Sequence, residues 1–446
     1  MRWGPKLSYP VYRVVQRVKG AIVQTTLRPT ELDRDLLRRR YVSNRNRTAE
    51  LFALVEPAAY YDRPIGLRHP IVFYEGHIPA FSFLKLVREG LRGAQLDPEL
   101  ERLFERGIDP ASNADAARHE RTSWPERTQV QAFGAACDAT VLEAFAHADL
   151  TDAAASPLLE RGQAAFTILE HEEMHHETLL YMLHRLPLER KATAGRGGGY
   201  VERDPSASGR VIVPAGRATL GATRDALFGW DNEFDETPVD VAAFEIDVND
   251  VTNGEWLTFV RAGGPVPPFW LKRDGGFALL GMFEVMPLPL TWPVYVTQSQ
   301  ARAYAAWRGA RLPKEAEYHR AAFGTPSGQE RPFPWGEDAP TSAHGNFDFR
   351  RFDPEPVGIS PAGASAWGVH DLVGNGWEWT STPFEPLPGF APMASYPPYS
   401  ADFFDGAHFI VKGASPVTNR LHVRRSFRNW YRPDYPYVYA TFRTVN

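Results

Sequence analysis

Cysteine is almost missing from this sequence, which contains a single one, Cys137, in 446 residues. One thiol cannot form a disulfide within the chain, and it cannot supply a cysteine-rich metal site. Both of these ways of holding a fold together are therefore excluded. Such sparing use of cysteine is typical of proteins in a reducing compartment, so we expect a cytoplasmic location.

The sequence also lacks an excess of positive charge and long apolar runs. Its formal net charge of −5 gives no support for binding to nucleic acid or to a membrane surface. The first residues are polar and rich in arginine, and we find neither a signal-peptide core nor an apolar segment long enough to span a bilayer. We expect small-molecule partners, and the sequence does not indicate an oligomeric state.

The distribution of glycine, proline and apolar residues divides the chain into three parts. Apolar residues recur at helical spacing in the first part, and residues 191–208 are rich in glycine, serine and alanine, as linkers are. Short β-prone segments and turn residues dominate afterwards. We predict an α+β protein with a four-helix bundle in residues 1–190, a linker at 191–208 and a loop-rich mixed domain in residues 209–446.

Local signals suggest where the four helices lie, at about 31–52, 71–91, 123–147 and 156–185. Pro79 lies inside the second, so we expect that helix to begin near Pro79 or to kink there. Ser123 is a candidate N-cap for the third helix, with Glu126 completing a capping box. Beyond the linker, strands are expected at 211–213, 244–246 and 409–411.

Two histidines in the last of these helices stand out. His171 and His175 are four residues apart, so they share a helix face, and that face continues through Leu179 and Leu183. Two imidazoles on an apolar face need polar partners. A metal ion bound by both rings satisfies this need, and imidazole is a common ligand of transition metals.

Other interpretations of this helix remain open. The letters around His171 also match the H-E-x-x-H pattern of zinc proteases, in which Glu172 would be the general base. A non-catalytic module with an aromatic ligand pocket is a further alternative, because aromatic residues make up 13% of the chain.

Four ordered motifs mark the second half of the chain. They are GRATLG at 216–221, DVTNGEW at 250–256, GARLPKEAEY at 309–318 and LVGNGWEW at 372–379. Together they resemble the formylglycine-generating-enzyme fold, also called the sulfatase-modifying-factor fold, which is related to C-type lectins. That enzyme needs cysteines in this domain and this sequence has none there, so the resemblance implies the fold and not that activity.

The first half resembles a DinB-type helical bundle, on the segment YEGHIPAF at 74–81 and on the H-x-x-x-H-x-E pattern of His171, His175 and Glu177. A DinB bundle followed by this second domain is the architecture of ergothioneine sulfoxide synthases and of the related selenoneine and ovothiol synthases. The resemblance implies that His77, His171 and His175 bind Fe(II). His69 and His176 are the nearest histidines outside this set.

The same resemblance implies an oxygen-dependent enzyme, with O2 as co-substrate, that joins sulfur or selenium to imidazole C2 of hercynine, which is trimethylhistidine. The segment SFRNW at 426–430 matches the family's R-N-W segment, whose Asn and Trp hold the imidazole substrate. The resemblance therefore implies that Asn429 and Trp430 bind substrate, with Arg428 beside them. Met174 stands where many relatives carry a glutamine before the second helix histidine, and we expect it to bind substrate.

Departures from the family pattern bear on the chalcogen donor. Tyr431 and Tyr435 stand where γ-glutamylcysteine-using relatives carry an Asp and an Arg that grip the donor, and Leu387 replaces a frequent tyrosine. We therefore expect Tyr431 and Tyr435 to serve catalysis and a selenosugar to be the donor. The alternatives are a thiol such as γ-glutamylcysteine or cysteine, and ovothiol-type chemistry on histidine. Tyr396 and Tyr399 are further candidates for the proton or electron donor.

Overall fold

The computed structural model describes residues 32–105, 123–192, 202–204 and 208–446. Residues 1–31 and most of the predicted linker lie outside the described residues, so nothing is said of their structure. Residues Asp33–Asn446 form one compact unit. Within it a helical part is followed by a part rich in short strands, which confirms the mixed composition predicted from the sequence, while the domain boundaries stay a prediction.

Helices make up the first part as far as it is described. Their bounds are α1 Arg34–Phe52, α2 Ile71–Ser82, α3 Pro98–Glu105, α4 Arg127–His147 and α5 Gln163–His184, and α2 continues directly into a π-helical segment, Phe83–Gly90. Helix α5 packs against α1 and α2, and α4 packs against the same two helices. Helix α5 therefore lies between α1 and α2, with nearly all its side chains buried.

Two helix starts differ from those predicted. Helix α2 begins directly after Pro70 and runs through Pro79. The one hydrogen bond lost at Pro79 is outweighed because almost every side chain of α2 is buried. Ser123 is not an N-cap: α4 begins only after Glu126, which makes no side-chain cap, because Pro125 favours an extended chain at the residue before it.

The predicted helix at 156–185 is interrupted once. Ser156 caps a short 3₁₀ turn, Pro157–Gly162, and α5 starts after it. The break lies at Arg161 and Gly162, which both have positive φ, of 53° and 73°. Glycine adopts this backbone conformation without strain, so Gly162 allows the change of direction that brings α5 into the core.

Short strands and three helices form the second part. The strands are β1 Arg210–Val213, β2 Gly216–Leu220, β3 Thr237–Val241, β4 Phe244–Asp247, β5 Trp270–Arg273, β6 Gly276–Leu280, β7 Val285–Pro287, β8 Gly376–Pro383, β9 Phe409–Ala414, β10 Asn429–Tyr431 and β11 Ala440–Thr441. The helices are α6 Asn253–Arg261, α7 Gln298–Trp307 and α8 Glu315–Phe323. The predicted strands at 211–213, 244–246 and 409–411 correspond to β1, β4 and β9.

The largest described sheet has the order β10-β9-β8-β11. Strand β9 pairs antiparallel with β8 and β10, and β11 pairs parallel with β8. Since β10 is an edge strand of this sheet, it can present Asn429, Trp430 and Tyr431 to neighbouring elements.

Helix α5 joins the two parts along most of its length. Thr167 pairs with Ser395, His184 with Tyr439, and Arg185 donates to the carbonyl of Pro436. Within the described residues, no helix combines the length and apolar character needed to cross a membrane.

Candidate active site

Three histidines meet at the contact of α2 with α5. His77, on α2, and His171 and His175, on α5, each offer one ring nitrogen, and the three nitrogens lie within 4.8 Å of one another. The Nε2 atoms of His171 and His175 are 3.1 Å apart. Such convergence matches what a metal ion requires of its ligands, and these are the three residues that the family resemblance indicated.

A backbone carbonyl fixes the orientation of His77. Its Nδ1 lies 2.7 Å from the carbonyl oxygen of Phe104, to which it donates. The proton is therefore held on Nδ1, and the lone pair of Nε2 remains for a ligand. This Nε2 is buried and has no hydrogen-bond partner among the described residues. An ion held by the three histidines would satisfy it.

The three imidazoles are held neutral. Burial lowers the pKa of His77 to about 4, against a smaller opposing effect of the Phe104 carbonyl. Burial and the neighbouring histidines lower the pKa of His171 and of His175. Neutral imidazole is the form that binds metal ions. A site of three nitrogen ligands fits Fe(II) with open positions for substrates, and it also fits zinc.

The acidic residues of α5 do not join the histidines. Each is buried and engaged with a partner on another element. Glu172 accepts hydrogen bonds from Arg45 and Thr48 on α1, at 2.7 and 2.6 Å. The zinc-hydrolase hypothesis needs this carboxylate as a free general base. The structure contradicts that hypothesis, because Glu172 is paired with Arg45 within the core.

Glu177 connects α5 to the second part of the chain. Its carboxylate accepts hydrogen bonds from Trp377, Ser415 and Thr418, at 2.6, 2.7 and 2.9 Å. The last acidic position of the H-x-x-x-H-x-E pattern is thus a contact between the two parts. Trp377 belongs to the LVGNGWEW motif, so two motifs that are distant in sequence meet here.

The two histidines outside the predicted ligand set also lie outside the cluster. His176 is fully buried on the α1 side of α5, where its Nε2 is 2.8 Å from the hydroxyl of Thr48. His69 stacks on Phe73, with ring centroids 4.1 Å apart. Their positions agree with the sequence analysis.

Aromatic side chains cover the His171 side of the cluster. Phe81 stacks on His171 with centroids 3.5 Å apart, and the ring of Tyr396 lies 5.2 Å from Phe81 and 6.2 Å from His171. Burial raises the pKa of Tyr396 to about 12, so its hydroxyl stays protonated at neutral pH. Of the four tyrosines that the sequence offered as proton donors, Tyr396 is the one with a described ring contact to a cluster histidine.

Trp430 lies in an aromatic cage farther along the same side. It stacks on Phe384 at 4.1 Å, and Tyr399 and Phe403 approach it at 5.3 and 5.4 Å. The hydroxyl of Tyr399 donates to the sulfur of Met174, at 3.4 Å. The structure therefore connects Met174 with Trp430 through Tyr399, as expected if both line one substrate pocket.

A second group lies on the His175 side. The ring of Tyr74 is 5.6 Å from His175, and Arg68 donates from Nε to the hydroxyl of Tyr435, at 3.0 Å. The rings of Tyr431 and Tyr435 are parallel at 5.9 Å. Tyr431 and Tyr435 are thus together, but neither has a described ring contact with a cluster histidine, and their catalytic role stays a prediction.

The two remaining predicted residues differ in position. Asn429 donates to the hydroxyl of Tyr431, at 3.1 Å, and so faces the second group. Arg428 is buried and forms two hydrogen bonds with Glu315, at 3.0 and 3.2 Å, besides bonds to two carbonyls. Its guanidinium supports the fold, and its role in binding substrate stays a prediction.

Sequence reasoning missed Arg68, Tyr74 and Tyr181 as members of the site. Tyr74 was quoted in the YEGHIPAF segment, and its spacing of three from His77 was the available signal. Tyr181 is six residues after His175, a spacing that does not place two residues on one helix face. Arg68 precedes α2, and its contacts with Tyr181 and Tyr435 connect it to the site.

Comparison with family models gives two matches. Residues 199–446 match the sulfatase-modifying factor enzyme 1-like domain, and residues 40–179 match the DinB superfamily. The two matches agree with the fold that each half of the sequence resembled.

Comparison with curated proteins gives relatives over nearly the whole length. Hercynine oxygenase of Mycolicibacterium thermoresistibile is 35% identical over 91% of the chain and 94% of that protein. Hercynine oxygenase of Mycobacterium tuberculosis is 34% identical over 85% of the chain and 90% of that protein. Ergothioneine biosynthesis protein 1 of Neurospora crassa is 27% identical over 86% of the chain but only 54% of that longer protein.

Proposed function

Because the chain belongs to the hercynine oxygenase family, we propose that it uses O2 to join a chalcogen atom to C2 of the imidazole ring of hercynine. As a member of this family the chain is an oxidoreductase. The observation that carries the proposal is the convergence of His77, His171 and His175 within 4.8 Å. These three imidazoles would hold Fe(II), which when bound supplies the activation of O2 that an unfunctionalised imidazole carbon requires.

The imidazole C2–H bond and the donor's chalcogen–hydrogen bond break, and the carbon–chalcogen bond forms. O2 accepts the electrons: one oxygen atom becomes the oxide on the chalcogen, and the other leaves as water with the two hydrogens. The protein must therefore hold two substrates beside one metal and supply or accept protons.

The aromatic cage is proposed to hold hercynine. A quaternary ammonium group binds favourably over the face of a tryptophan. Trp430, with Phe384, Tyr399 and Phe403 around it, offers this surface near the His171 side of the cluster. Tyr396 lies between the cage and His171, and its protonated hydroxyl is our candidate for the proton donor.

For the chalcogen donor we propose a selenosugar. Support comes from Tyr431 and Tyr435, which put neutral hydroxyls where a zwitterionic dipeptide needs an acid and a cation. A thiol donor is the second candidate, and the relatives named for ergothioneine biosynthesis favour it.

A competition assay tests the function and the donor together. Protein loaded with Fe(II) is given O2, hercynine and equal amounts of a selenosugar, γ-glutamylcysteine and cysteine, and the imidazole adducts are identified by mass. We expect a selenium adduct to dominate. A sulfoxide of γ-glutamylcysteine as main product contradicts the proposed donor but keeps the function, whereas no adduct from any donor contradicts the function.

Metal content provides an independent check. His77→Ala, His171→Ala and His175→Ala should each lose bound iron, and the neighbouring His176→Ala should keep it if the protein remains folded. Full iron occupancy in any of the first three variants removes that residue from the ligand set.

A further inference from the structure

Arg68 lies among tyrosines on the His175 side of the cluster. Its Nε donates to the hydroxyl of Tyr435 at 3.0 Å, and its guanidinium carbon is 5.4 Å from the ring centre of Tyr181 and 5.7 Å from that of Tyr435. Tyr181 and Tyr435 approach each other edge to face at 6.5 Å. The two rings and the hydrogen bond to Tyr435 therefore hold the guanidinium in place, and its Nε points toward Tyr435.

The hydrogen bonds of this group leave its hydroxyl protons available. The oxygen of Tyr435 accepts from Arg68, and the oxygen of Tyr431 accepts from Asn429. Neither hydroxyl donates to another group among the described hydrogen bonds. Burial raises the pKa of Tyr431, so it keeps its proton. The group thus offers hydrogen-bond donors and suits a ligand with several oxygen acceptors.

The group also lies beside the cluster. The ring of Tyr74, which is fully buried, is 5.6 Å from that of His175. Arg68 lies beside Tyr181, which is on the same helix as His175. This group is therefore on the His175 side of the cluster, whereas the aromatic cage of Trp430 lies toward His171. The two sides of the cluster differ in chemistry, one aromatic and one rich in hydrogen-bond donors.

We infer that Arg68 selects the chalcogen donor, by binding adjacent oxygen atoms of that substrate while its sulfur or selenium faces the histidines. The inference rests on the proposed function and names a residue of the helical part as a determinant of donor specificity. Two kinds of molecule carry such oxygen pairs near a thiol or selenol: a sugar with neighbouring hydroxyls, and an amino-acid thiol with its carboxylate. The planar guanidinium can pair with either.

The test combines kinetics with binding. In Arg68→Met we expect the KM for the donor to rise about 10- to 100-fold, as for the loss of a hydrogen bond to a charged group, and the KM for hercynine to change less than about threefold. Oxygen-free calorimetric titration with 1-thioglucose and, separately, with cysteine measures donor binding without turnover. Whichever of the two ligands binds the wild type more tightly should bind Arg68→Met about 10- to 100-fold more weakly.

A further variant and a salt series distinguish a donor with sugar hydroxyls from a donor with a carboxylate. Arg68→Lys keeps the charge but loses the planar fork, so it should restore binding of a carboxylate more than binding of sugar hydroxyls. The KM for a carboxylate donor should also rise with salt, since screening weakens charge pairing, while that for a sugar should not. These results tell which class of donor Arg68 serves.

A second arginine and a milder variant serve as controls. Arg47 also lies over an aromatic ring, that of Phe349 at 4.7 Å, but it has no described contact with the three cluster histidines. Arg47→Met should therefore leave both KM values unchanged. If Arg68→Met does not fold, a milder variant replaces it in the test. Tyr435→Phe removes only the hydroxyl that Arg68 contacts, and we expect the KM for the donor to rise about 2- to 10-fold. Unchanged donor affinity in the folded variants, or a rise confined to the hercynine KM, overturns the inference. Adduct formation by the wild type leaves the proposed function intact in either case.

Discussion

At the scale of single residues, Glu177 belongs to the histidine motif but serves to hold the two parts of the chain together. Three donors from the second part of the chain converge on its buried carboxylate. Glu177→Ala removes the acceptor that the three donors share, and only the hydroxyls of Ser415 and Thr418 can still pair with each other. We therefore expect the free energy of unfolding to fall by about 3 kcal/mol. Urea unfolding measures this loss. Glu177→Gln, which keeps two of the three acceptor contacts, should lose less, and an equal loss in both variants contradicts the explanation.

A second residue makes stability depend on pH. Burial raises the pKa of Asp371 from 3.8 to about 6, although the N–H of Gly358 and the charge of Arg443 oppose this. The folded state therefore holds a proton that the unfolded chain has released, and its contribution to stability is lost as pH rises from about 4 to about 6. Asp371→Asn should remove this slope and stabilise the protein by about 3 kcal/mol at pH 7.

The measurement is thermal unfolding of wild type and Asp371→Asn between pH 4 and 8. Asparagine tolerates the positive φ of 54° at this position and keeps an oxygen that can accept from Gly358, so the backbone should not change. Parallel curves for the two proteins across this range would show that Asp371 does not titrate as described.

The histidine cluster was largely predictable at this scale, and its surroundings were not. His171 and His175 share a helix face, so spacing alone indicated a pair. His77 came only through the family resemblance, because no periodicity connects α2 with α5. Arg68 and Tyr435 are 367 positions apart in sequence. No local pattern predicts such a contact, which depends on how the two parts of the chain pack.

At the scale of elements, the packing of α3 against α2 positions a candidate ligand. A Cβ atom on Gly76 would lie 2.4 Å from the ring of Phe104, whose carbonyl orients His77. Gly76→Ala should push α3 away, cost about 1–3 kcal/mol in stability and weaken iron binding about 10-fold or more. Metal titration and urea unfolding check both effects.

A matched glycine provides the control for this prediction. A Cβ on Gly276, in β6, would meet nothing within 4 Å. Gly276→Ala should therefore leave iron affinity unchanged. If Gly76→Ala lowers stability but binds iron as tightly as wild type, the carbonyl of Phe104 is not what holds His77 in place.

The elements themselves were predicted better than their ends. Apolar periodicity located the helices because it reflects the face that each one buries. The expected start at Ser123 was wrong because Pro125 delays α4. Of the two alternatives expected at Pro79, a helix start there was wrong because tertiary burial keeps α2 helical through the proline. Strand order could not be predicted, since pairings such as that of β8 with β11 join distant segments.

At the scale of the whole molecule, buried charges join the two parts. Arg424 of the second part forms paired hydrogen bonds with Glu170 of α5, at 2.9 Å each, and also contacts Glu233. Because such contacts connect the helical and strand-rich parts, we expect the chain to unfold in one transition. Far-UV circular dichroism follows the helices, and fluorescence follows the second part, which contains ten of the twelve tryptophans.

In the wild type the two signals should change together. Arg424→Met removes the nearest cation from two buried carboxylates, so we expect the free energy of unfolding to fall by about 3–5 kcal/mol and the two signals to separate. Separate transitions already in the wild type would mean that the parts fold independently.

The Arg68 group is built from both parts of the chain: Arg68, Tyr74 and Tyr181 come from the helical part, and Tyr431 and Tyr435 from the strand-rich part. Recombination between homologous genes at the linker would therefore combine halves of two different pockets. A chimera of this kind should inherit the donor preference of neither parent. Donor specificity in this architecture is therefore inherited only when both halves come from the same parent gene.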